Sequence, residues 1–204
     1  MSLRNMNIAP RAFLGFALIG SLMLILGIFA LTQMSKIRAA GMAIEQNSLP
    51  SIKALDEFTQ LTLRLRVLSY RLLINREPDV QQKTIELFQL RNEQIRAAQN
   101  IYEKLIVRSE ERTAYDQYVQ KLAEYRQLEE RIKTLSRNNQ VDELRSILNA
   151  DLLSNSEQMN AVLSKLVDIN TRQLSESNKE TSDQYSMAFD LLVGILIVST
   201  LLTV

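Results

Sequence analysis

From Met42 to Val193 the chain contains no glycine at all. Within that stretch proline occurs only at positions 50 and 78. Folds built from many strands and tight turns need both residues at their corners. Without them, the chain must run in long helices with very few connections. Its 204 residues leave room for one modest domain.

Two apolar runs frame this stretch. Residues 12–32 read AFLGFALIGSLMLILGIFALT, with no charge and enough length to cross a bilayer as a helix. A cleaved leader would have a shorter apolar core and a small-residue site close behind it. Here the nearest such site, AAGMA at 39–43, lies well beyond the run, so an uncleaved helix is expected. Residues 191–204, LLVGILIVSTLLTV, are apolar to the last residue and too short to span comfortably. They are expected to begin a second transmembrane helix that is cut short, in a piece of a longer protein, with a tail anchor as the alternative. Charge does not orient the first span: Arg4 and Arg11 precede it, and Lys36 and Arg38 follow it.

Between the runs, apolar residues recur at helical spacing. The first helix is expected to continue from Thr32 to about Arg76, with Pro50 as a possible kink. Glu77-Pro78-Asp79 makes a turn, with Pro78 at the start of the next helix. A second helix runs from about Asp79 to Val107, with Ile85, Phe88, Ile95, Tyr102 and Leu105 on one face. Ser109 reads as the cap of a third helix reaching about Ser136. Its face is Tyr115, Tyr118, Leu122, Tyr125, Leu128, Ile132 and Leu135, with Tyr118 and Tyr125 taken as core. After the polar break at Arg137–Gln140, a last helix begins near Asp142 and runs into the second span. Its seam of Met159, Leu163, Leu166, Asn170 and Gln173 steps by four, three, four and three, as a bundle seam does. The fold expected is all-α: an antiparallel up-down four-helix bundle continuous with two transmembrane helices.

The stretch LTLRLRVLSYRLLINREPD, residues 61–79, raises a question of charge. With Arg64 set at zero and 100° per residue, Leu68, Leu61, Leu72, Leu65 and Phe58 fall at about 40 to 120°. That stripe faces the bundle core. Leu63, Ile74 and Val67 fall at about 260 to 300°, a second stripe that needs another molecule, most simply a second copy. Arg64 and Arg71 lie in the gap between the stripes, two turns apart on one face. Arg66 points nearly the opposite way, near Tyr70 and Thr59. Two guanidiniums on one face suit a carboxylate or phosphate. The alternative is a solvated face, with the arginines paired to Glu86, Glu93 or Glu157 on neighbouring helices. Counting from the membrane puts Gln158 and Asn160 on the last helix level with Arg64, where either could hold a ligand's polar end.

Composition removes several classes of function. The chain has no cysteine and no histidine, so thiolate chemistry, the commonest metal ligand and the commonest general base are absent. No acidic cluster has calcium-loop spacing. No metal, cofactor or catalytic constellation is expected, and no enzyme. A formal net charge of +1 gives no case for nucleic acid. A helix bundle with both ends in a membrane suits a sensor.

Taken together, the chain resembles the N-terminal half of a methyl-accepting chemotaxis protein, a bacterial chemoreceptor of the class with a periplasmic four-helix-bundle ligand-binding domain. The resemblance rests on NIAPRAFLGFALIG entering the first span, NSLPSIKALDEF after it, NNQVDELRSILNADL leading to the last helix, and the order span, bundle, span. It implies a cytoplasmic N-terminus at 1–11, a transmembrane helix at 12–32, a periplasmic sensor at 33–189 and a second transmembrane helix from 190. It also implies a multi-pass protein of the bacterial inner membrane, a homodimer joined through the first helix, and control of a chemotaxis histidine kinase and its coupling protein through a cytoplasmic part. In aspartate-sensing relatives, arginines on the first helix hold carboxylates. By helix and height, Arg64 and Arg71 match that role, and Arg66 matches it less well by face. The relatives' threonine contact on the last helix has only Ser154 and Ser156 as stand-ins. The ligand implied is a small anion: an organic acid, an amino acid or phosphate. A membrane histidine kinase or nucleotide cyclase could carry the same input module, and a structural bundle without a ligand is the third reading.

Overall fold

A computed structural model describes residues 8–203. Among them the elements are helical throughout, with no strand. Helix α1 spans Ile8–Ala43, α2 Leu49–Ile74, α3 Pro78–Tyr102, α4 Ser109–Arg137, α5 Val141–Ile147 and α6 Leu153–Thr203. Single π-helical turns at Ile44–Ser48 and Leu148–Leu152 stand before α2 and α6. The chain divides into two compact units. One, Glu45–Leu174, holds the helix bundle; the other comprises Met1–Ile44 and Ser175–Val204. The bundle unit lies within the 33–189 expected for the sensor.

The expected break at Pro50 takes a specific form. Pro50 lies in the first turn of α2, just after the π turn. It has no N–H to offer the carbonyl four residues back, at Gln46. A wider turn at that point absorbs the missing hydrogen bond. The second π turn, between α5 and α6, has no such marker in the sequence. It breaks the last helix just after its expected start near Asp142.

Connections follow local chemistry. Glu77 is extended because it precedes Pro78. Helix α3 stops at Tyr102, short of the expected Val107. The chain tightens there, with Leu105 N–H donating to the Tyr102 carbonyl at 2.9 Å, and the Asn47 amide caps the Leu105 carbonyl at 2.7 Å. Arg108, not Ser109, occupies the N-cap of α4, without a side-chain cap; Glu110 and Glu111 in the first turn complement the helix dipole instead. Helix α4 ends in a Schellman motif. Asn139 adopts φ 56°, its N–H donates to Ser136 O at 3.1 Å, and Gln140 N–H donates to Leu135 O at 3.0 Å.

Inside the bundle unit the helices alternate in direction. Phe58 meets Tyr118 and Ser69 meets Tyr125, so α2 and α4 run parallel. Asn170 reaches Glu111 while Asn155 reaches Glu124, so α6 runs antiparallel to α4. Every member of the first stripe on α2 and of the α6 seam is buried. So is the face expected on α4, except for half-buried Leu128. Each fully buried leucine or isoleucine of this kind is worth roughly 1.5–3 kcal/mol.

Some polar groups in this core are paired in small networks, whereas others, among them Ser51, Ser156 and Gln173, keep a buried polar atom without a partner. The Tyr102 hydroxyl donates to Glu111 Oε1 at 2.8 Å, and Asn170 Nδ2 donates to the same oxygen at 3.0 Å. Lys133 donates to Glu129 and Glu130, and Asn92 Nδ2 also reaches Glu129 at 2.9 Å. Burial alone would lower the Lys133 pKa; the hydrogen bonds to the two carboxylates outweigh it and the pKa is raised. Burial also pushes up the hydroxyls of Tyr102, Tyr115, Tyr118 and Tyr125, the first two further raised by Glu111 and Glu103.

In the other unit, α1 carries an apolar window of mean hydropathy 2.3, none of it buried. Among the described residues this is the one helix long and apolar enough to cross a membrane, by length and composition. The apolar end of α6 also exposes Leu196, Ile197 and Val198.

Candidate ligand-binding grooves of the bundle

Helix α2 positions the candidate arginines. Its core stripe is pinned by Phe58, Leu65 and Leu72, each 1% exposed or less, and this fixes the rotation of the helix. The second stripe then faces outward: Leu63 is 46% exposed, Val67 66% and Ile74 75%. Arg64 and Arg71 are both exposed beside it, as the wheel places them. Among the described residues, Arg64, Arg66 and Arg71 form no salt bridge. Glu86, Glu93 and Glu157 take no part in one either.

Arg64 stands between two grooves. One, of about 310 Å³, is lined by Leu63, Val67, Leu68, Leu87 and Arg91. The other, of about 490 Å³, is lined by Lys53, Asp56, Glu57, Gln60, Leu61 and Gln94. Arg71 lines neither groove, so its share of Arg64's face does not become a shared pocket. Arg66 is half-buried on the other side, where its charge acts on the Tyr125 hydroxyl against the effect of burial.

The candidates on α6 fall elsewhere. Gln158 is exposed, donates to Ser154 Oγ at 3.2 Å, and lines a third groove of about 470 Å³ with Glu124, Arg131, Asp151 and Asn155. Asn160 is half-buried, with its Oδ1 buried and unpartnered, and lines none of the three grooves. Ser154 is exposed, whereas Ser156 is buried with no partner for its hydroxyl. The bundle therefore does not bring Gln158 and Asn160 to Arg64 in one groove.

Sequence reasoning does not reach Arg91. Its one signal is Leu87, a turn earlier on α3 and beside the core residue Phe88, which widens the apolar face toward α2. Arg91 donates to Gln94 Oε1 at 2.7 Å and keeps other guanidinium donors for a ligand. Among the described residues, no group of His, Cys, Asp and Glu is placed to hold a metal ion.

An all-α bundle of alternating helices, with an unpaired arginine on an outward apolar face, has the build of a module that receives a signal. The chain matches the model of the four-helix-bundle sensory modules for signal transduction over residues 5–185, and it belongs to that family. The resemblance to a chemoreceptor sensor is borne out at the level of this module. No curated protein and no solved structure matches the chain.

Proposed function

We propose that this chain is the sensor region of a transmembrane chemoreceptor that binds a small anion outside the cytoplasm and passes the signal through its membrane helices to a kinase-control domain. The observation that carries the ligand's charge is Arg64, exposed beside two grooves and without an ion pair among the described residues. A guanidinium left open on a fixed helix face is a ready partner for a carboxylate or phosphate. The apolar window of α1 supports a membrane helix at 12–32, and the apolar end of α6 supports a second from 190. The exposed stripe of Leu63, Val67 and Ile74 supports a homodimer packed through α2. In this reading the protein is a receptor in the bacterial inner membrane with its bundle in the periplasm, and it is not an enzyme. Arg71 shares Arg64's face without lining the grooves.

A thermal-shift screen of the full chain in lipid nanodiscs tests the ligand class, with organic acids, amino acids, phosphate, amines and neutral sugars as arms. Stabilisation by one or more anions, absent in Arg64→Ala, is expected, because a ligand that binds only the folded state raises its melting point. Stabilisation by amines or sugars alone would overturn the anion reading.

A further inference from the structure

Resting on that reading, we infer that the groove between α2 and α3 is the anion's seat, and that its ligand is an amphipathic carboxylate held by Arg64 and Arg91 with its apolar part in the trough between them. The two arginines come from different helices, and both border one groove. Its other lining residues, Leu63, Val67, Leu68 and Leu87, are all apolar, and no acidic side chain lines it. Nothing in the groove neutralises the two cations. A ligand with one negative end meets the guanidiniums, and an aliphatic remainder covers the leucines and the valine.

The trough, of about 310 Å³, is open to solvent, and its short apolar floor between two cations matches a small amphipathic anion. The neighbouring groove, with Asp56, Glu57 and Lys53, is mixed in charge and does not select an anion. A second copy laid over the trough would take Arg64 and Arg91 out of water, and an anion between them would offset that cost. The ligand is therefore expected to favour the dimer.

This assigns Arg91 a binding role and separates it from Arg71, which shares Arg64's face but lies outside the trough. Charge alone would not distinguish the ligand; an aliphatic part that covers the apolar floor adds affinity that phosphate and small acids do not gain.

The test is calorimetric titration of the full chain in nanodiscs with hexanoate as the probe, and with acetate, hexanol and inorganic phosphate as controls. Hexanoate is expected to bind, with acetate and hexanol each weaker by about tenfold or more, since each lacks one of the two contacts. Arg91→Ala and Arg64→Ala should each weaken hexanoate by about tenfold or more, Arg91→Lys should recover part, and Arg71→Ala should bind as the parent does. Circular dichroism of each variant confirms that the helices are intact. If Arg91→Ala binds like the parent while Arg64→Ala does not, the trough is not the site, although the broader anion reading stands. Failure of hexanoate to bind at millimolar concentration, with phosphate or an amino acid binding through Arg64, overturns the amphipathic ligand alone. A tight dimer formed without hexanoate, into which hexanoate does not enter, would show that a second copy fills the trough, and would overturn the proposal.

Discussion

At the scale of single residues, the contrast between arginines and tyrosines governs behaviour. Arg64 is exposed and forms no salt bridge among the described residues, so its removal should leave the bundle intact while weakening anion binding by about tenfold or more. Arg64→Lys should recover only part of this, because an ammonium keeps the charge but not the fork geometry. Calorimetry separates the two variants. The tyrosines make the opposite case. Tyr102, Tyr115, Tyr118 and Tyr125 are buried, and their hydroxyls hold their protons more tightly than free tyrosine, whose pKa is 10.0. The folded state then binds more protons than the unfolded chain above that value, and stability must fall as pH rises past it. Below pH of about 10 that contribution is fully present. In an alkaline titration of a Tyr70→Phe, Tyr185→Phe variant, which leaves only these four tyrosines, phenolate absorbance and loss of helical ellipticity should rise together. Phenolate forming in that variant while the bundle stays helical would contradict the burial that places these groups in the core.

At the scale of elements, the sequence was legible where periodicity is set by burial. The core stripe of α2 and the seam of α6 follow directly from helical geometry, because a buried face must repeat every 3.6 residues. The π turns at Ile44–Ser48 and Leu148–Leu152 were less so: the first stands just before Pro50, but the second, which carries buried Leu148 and Leu152, has no local mark in the sequence. The end of α3 at Tyr102 was hidden for a similar reason, since the Asn47 cap comes from a residue 58 positions away. Candidate-site residues were legible on one helix only. Arg64 follows from the wheel of α2, whereas Arg91 depends on how α3 is rotated against α2, which no single-helix pattern contains. Asn139 offers a check on element ends. It holds φ 56° at the end of α4, a conformation that suits glycine better. Asn139→Gly should keep or slightly raise stability, and Asn139→Val should lower it by about 1 to 3 kcal/mol. Chemical denaturation of both variants decides this; equal stability would mean that the turn does not depend on the left-handed residue.

At the scale of the whole molecule, the proposal couples binding to association. The exposed stripe of Leu63, Val67 and Ile74 lies on the helix that also carries Arg64, so the proposed dimer face and the proposed anion site share one surface. The full chain should therefore dimerise more strongly when the anion is present. Ile74→Glu, which lies outside the grooves around Arg64, should weaken the dimer while leaving anion contacts in place. Sedimentation in nanodiscs or detergent, with and without the anion, would register both effects; a monomer under every condition would remove the dimer from the reading. The central claim is narrower: this sensory module receives a small anion through Arg64. Its most direct test is calorimetric titration of the parent chain, Arg64→Ala and Arg66→Ala with an anion found by thermal shift. Binding is expected in the parent and in Arg66→Ala, since Arg66 lines neither groove beside Arg64, and is expected to be lost in Arg64→Ala. Equal affinity in all three would contradict it and return Arg64 to a solvated helix face.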